Sequence, residues 1–143
     1  MARVDRAKQV DPAHADMYAE VGRRLLLAGR AMLERGDARH APALAIVSIH
    51  ATIAFADAVC IHAAGKKSTS PDHEAAARLL RSVAGQRLPK PTERTLQRLL
   101  GEKNRLEYEG YVATMKEAQE LLLRAERFAA WAEEVLLTRR AMR

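Results

Sequence analysis

Residues 42–65 read PALAIVSIHATIAFADAVCIHAAG, a run whose only formal charge is Asp57. It is long enough to cross a bilayer but poorly suited to one. Asp57 would cost about 2.5–3.5 kcal/mol at a membrane centre, and Ser48, His50, Thr52 and His62 add to the penalty. A helix that is apolar on every side can instead be hidden by other helices, and small alanines let those neighbours come close. The run therefore predicts the central helix of a soluble bundle, ended by Gly65.

The flanking sequence supplies the neighbours. Asp11 as cap, Pro12 at the first helical position and Gly36 as terminator predict a helix over 12–35, with Tyr18, Val21, Leu25, Ala28 and Met32 as its inward stripe. A polar loop at 66–70 leads to a third helix capped by Ser70 and ending near Gly85, with Asp72 and Glu74 in its first turn. Pro89 and Pro91 mark a rigid link to a fourth helix over 92–108, striped by Leu96, Leu99, Leu100 and Leu106. The capping box Thr114-Met115-Lys116-Glu117 opens a fifth, running to about 138 on Ala118, Leu121, Leu122, Ala125, Phe128 and Val135. No segment has strand periodicity. The expectation is all-α: a single-domain antiparallel bundle of about five helices over 11–138, with 1–10 and 139–143 as flexible ends.

Composition agrees and excludes several classes. The chain has 143 residues, 48% apolar, 29% charged and 4% aromatic, which suits an aliphatic helical core and not a disordered chain. One cysteine excludes a disulfide framework and a multi-thiolate zinc site. Residues 1–9 lack the apolar core of a signal peptide, so the expected location is cytoplasmic. No cofactor and no metal site is predicted. Residues 66–106 hold ten basic and four acidic side chains, an excess equal to the +6 of the whole chain. A basic field so localised favours a polyanionic partner, with Lys66, Lys67, Arg94, Arg98, Lys103 and Arg105 as candidate anion or RNA contacts.

Some positions do not fit a plain core. Lys103 follows Leu99 and Leu100 by four and three residues, so helical geometry carries it beside the buried stripe. Asn104 and Tyr108 lie one turn apart near the end of the same helix. His50 and Asp57, seven residues apart on one face of the central helix, suggest a hydrogen-bonded core pair. Cys60 and His62 fall on different faces and could not share a metal.

The run Leu99-Leu100-Gly101-Glu102-Lys103-Asn104-Arg105-Leu106-Glu107-Tyr108 resembles the closing motif of HEPN domains, all-helical nucleotide-binding domains of higher eukaryotes and prokaryotes. Many members carry Arg, four to six residues, then His; another branch ends in an Ala-Asp-Tyr type triplet, and this chain is similar to that branch. Lys103 stands at the Arg position, Asn104 at the polar position after it, and Tyr108 at the catalytic His position. Ser70-Pro71-Asp72-His73 resembles the family's Ser-His segment, and by pattern the likeness covers about 15–137. The resemblance implies a HEPN-like fold, a homodimer joined through the face bearing Lys103 and Tyr108, and a nucleotidyltransferase partner in a prokaryotic toxin–antitoxin or defence system. Active members cleave RNA without metal by an Arg and His pair. A phenol titrates far above neutrality and replaces an imidazole poorly in such chemistry. The expected function is thus a non-catalytic RNA- or protein-binding module. The alternatives are a metal-independent endoribonuclease using Lys103, Asn104, Tyr108 and His73, and a structural bundle without ligand.

Overall fold

The computed structural model of the chain describes residues 6–72 and 74–141. Five helices form the fold: α1 (Ala15–Arg35), α2 (Ala41–Ala64), α3 (Ala75–Ala84), α4 (Lys90–Tyr108) and α5 (Met115–Ala141). The helix α2 is the axis, packed against each of the other four. The stretch spanning it is long and apolar enough for a membrane, yet 78% of its most apolar window is buried inside the bundle. Its polar side chains are satisfied locally, Ser48 and Thr52 donating their hydroxyls to the carbonyls of Leu44 and Ser48 at 2.8 and 3.0 Å. Gly65, at φ 66°, ends it by returning its N–H to the Ile61 carbonyl.

Around this axis Phe55, Val59, Leu80, Leu96, Leu100 and Phe128 form one buried cluster, and Leu44, Ile49, Leu99, Leu121 and Leu122 a second. Full burial of each such side chain is worth about 1.5–3 kcal/mol. Phe128 packs tilted against Trp131 at 5.5 Å between centroids, and the Trp131 indole donates to the Arg87 carbonyl at 3.0 Å. Helix α5 opens on the expected capping box, Glu117 N–H donating to Thr114 Oγ1 at 3.1 Å and Thr114 N–H to Glu117 Oε1 at 3.0 Å.

The inward stripe of α1 differs from the sequence expectation. Val21 is 54% exposed and Ala28 also faces solvent, while Ala15, Ala19, Gly22 and Gly29 are buried. The small residues face α2 because the helices approach closely: a Cβ on Gly22 would stand 2.6 Å from the Phe55 ring. Size misled the reading, since the tightest contact is made by the smallest side chains.

A second difference concerns 1–10 as a flexible N-terminus. Ala7–Gln9 forms a short strand, β1, paired antiparallel with Lys66–Ser68, β2, in the register Ala7↔Ser68, Lys8↔Lys67 and Gln9↔Lys66. Three residues are too few to show a strand period, and the pairing partner lies far along the chain. Residues 1–5 lie outside the described residues. At the other end α5 continues to Ala141, beyond the expected end at 138, and residues 142–143 lie outside the described residues. Helix α3 starts at Ala75, later than expected, with the Asp72 carboxylate accepting from Glu74 N–H at 3.1 Å.

Candidate functional site

Lys103 reaches the site because α4 must bury Leu96, Leu99 and Leu100, which turns the next residue of the stripe toward α2. Its side chain is only 18% exposed. It lines an open cleft of about 360 Å³ between α2, β2, α4 and the start of α3. Tyr108 stands at the same cleft with its side chain at the rim, 68% exposed. The opposite wall is Ile53 and Asp57 of α2, Lys67 and Ser68 of β2, and Ser70, Pro71 and Asp72 of the following loop.

The charges in the cleft are already matched. Lys67 Nζ stands 3.5 Å from Asp57 Oδ2 and 5.4 Å from the centre of the Tyr18 ring. Asp72 accepts from the Arg78 guanidinium at 2.6 Å. Lys103 Nζ is 3.9 Å from Glu107 Oε2, and the other oxygen of that carboxylate is 3.5 Å from His50 Nε2. Burial raises the Asp57 carboxyl above its ordinary range, and Lys67 and Lys8 pull it back down. Lys8 and Lys67 face each other across the two strands, an arrangement that repels unless a carboxylate such as Asp57 lies beneath it.

The expected site residues thus separate. Lys67, Lys103 and Tyr108 share the cleft, whereas Asn104 is exposed and does not line it. Arg94 lies exposed on α4, Arg98 stands at the mouth of a groove between α4 and α5 that Glu102, Glu117 and Glu120 also line, and Lys66 is exposed on β2. Arg105 is held at the α4–α5 turn by Glu102 and Glu117, at 3.0 and 2.9 Å, and lies 4.0 Å from the centre of the Tyr111 ring. Those carboxylates occupy its fork, so it clamps the turn rather than waiting for a phosphate. His73 lies outside the described residues.

The expected His50–Asp57 pair does not form. Seven residues put them about 10.5 Å apart along the helix axis, and each finds a partner elsewhere, Glu107 for His50 and Lys67 for Asp57. The sequence reading placed Glu107 in the motif but gave it no site role, although its position one turn after Lys103 was the available signal. Cys60 is buried, its thiol pushed up to about 12 by burial and then by Asp57, which makes it an inert core side chain. Among the described residues no group of three or more His, Cys, Asp or Glu could hold a metal ion. Comparison with protein-family models, with curated proteins and with solved structures gives no match.

Proposed function

We propose that the chain is a HEPN-like helical module that binds RNA without cleaving it, as a component of a prokaryotic toxin–antitoxin or defence system. The observation that carries this reading is the convergence of Lys103 and Tyr108 on one open cleft, with the hydroxyl-bearing Ser68 and Ser70 opposite. A cation held near an exposed phenol ring suits a phosphodiester and an unstacked base, and open clefts of a few hundred Å³ are of ligand size. A carboxylate stands beside each cleft lysine, which supports binding over acid–base chemistry. In this reading the chain is a homodimer, with a nucleotidyltransferase as its protein partner.

The metal-independent ribonuclease is a second reading, favoured by one contact. His50 reaches Lys103 through Glu107, so an imidazole stands one carboxylate away from the motif lysine. Incubating single-stranded RNA with excess protein in EDTA separates the two. Intact RNA that nevertheless co-migrates with the protein supports the binding module; shortened RNA, with cleavage abolished by His50→Ala, supports the enzyme.

A further inference from the structure

Outside the cleft, α4 presents a second feature. Arg94, Arg98, Gly101 and Tyr108 recur at alternating steps of four, three and seven, which places them along one face of the helix. All four are exposed, and Asn104 beside them is exposed too. Arg94 and Arg98 make no side-chain hydrogen bond or ion pair among the described residues, as is also true of Arg6, Arg35, Arg124 and Arg127.

Gly101 is the odd member. It sits in the interior of a 19-residue helix, where glycine is less favourable than alanine, and no backbone turn requires it. Nothing in the fold needs the missing side chain, for a Cβ built there meets no atom within 4 Å. The contrast is Gly22, whose bareness is explained by the Phe55 ring against it. A bare point on an exposed helix face, between two unpaired arginines and an exposed aromatic ring, fits the close approach of another molecule's backbone.

We infer that the outer face of α4 is a track for single-stranded RNA, its sugar–phosphate backbone crossing at Gly101, its phosphates met by Arg94 and Arg98, and a base stacked on Tyr108. The face spans about 21 Å from Arg94 to Tyr108. This inference rests on the RNA-binding reading and extends it, since Tyr108 joins the track to the cleft. Single strands suit the arrangement because their bases can stack on an exposed ring, and the outer arginines add phosphate contacts to that of the partly paired Lys103.

The test is anisotropy of a fluorescein-labelled oligouridylate, titrated with the full chain over a salt series, alongside thermal melts. Gly101→Ala is expected to raise the melting temperature by about 3 °C while weakening RNA binding several-fold. Arg94→Gln and Arg98→Gln should each remove about 0.7 from the slope of log affinity against log salt. Arg24→Gln, which removes an α1 cation already paired with Glu20, should leave that slope unchanged. Wild-type binding by Gly101→Ala together with unchanged slopes for both arginine variants would overturn the track and leave the RNA-binding reading standing. A wild-type chain that binds no RNA, or that binds poly-glutamate instead, would overturn both.

Discussion

His50 on α2 and Lys103 on α4 share one carboxylate, Glu107, at 3.5 Å and 3.9 Å. Glu107 is thus shared between an ammonium and an imidazole, and Lys103 is only partly free for a ligand. Removing that competitor should help an anion bind. Glu107→Gln is expected to strengthen RNA binding and Lys103→Ala to weaken it, both effects shrinking as salt rises. Anisotropy titrations at low and physiological salt check this, and a Glu107→Gln variant that binds more weakly would contradict it.

The two glycines buried or bared on helix faces should respond in opposite directions. Gly22→Ala drives a methyl into the fixed Phe55 ring and should destabilise by about 1–3 kcal/mol. Gly101→Ala meets open space and should stabilise by about 0.5–1 kcal/mol. Urea unfolding of both variants beside the wild type gives the comparison.

Most of the fold and part of the site were legible in the sequence. The central helix followed from a run with Asp57 as its single formal charge, and the end caps from Gly36, Gly65 and the Thr114–Glu117 box. The α1 stripe was misread because close packing inverts the usual preference for large buried residues, and the β1–β2 ribbon because pairing between residues sixty apart leaves no local pattern. At the site, helical spacing brought Lys103 to the cleft, but the spending of Arg105 on Glu102 and Glu117, and of Lys67 on Asp57, depends on tertiary contacts that spacing does not encode.

The α4–α5 turn predicts an acid-sensitive part of the stability. The Tyr111 hydroxyl, foremost, and the Thr114 N–H hold the Glu117 carboxyl down to about 2. The folded state then binds this proton less readily than the unfolded chain, so the contribution is present above the ordinary carboxylate range and is lost as pH falls toward 2. Glu117→Gln should flatten the acid limb of a plot of melting temperature against pH, and so should Tyr111→Phe to a smaller degree. An acid limb unchanged in both variants would contradict this.

Asp57 runs the other way. With its carboxyl raised by burial, the folded state holds that proton more tightly than the unfolded chain, so its contribution falls as pH rises from the ordinary carboxylate value through the raised one. Asp57→Asn should remove that decline while leaving Lys67, 22% exposed, able to turn toward solvent. Melting temperatures measured from acid to neutral pH test it: the variant's advantage should grow with pH, and a variant that loses stability most at neutral pH would count against it.

The central claim is that the Lys103 and Tyr108 cleft takes RNA and leaves it whole. The most direct measurement is one titration in EDTA, following anisotropy of a labelled single-stranded RNA and then its length on a denaturing gel, for the wild type and for the Lys103→Ala/Tyr108→Ala double variant. The account predicts salt-sensitive binding by the wild type, a marked loss in the double variant, and full-length RNA in every lane. Equal binding by the two proteins, or RNA cut by the wild type alone, would contradict it.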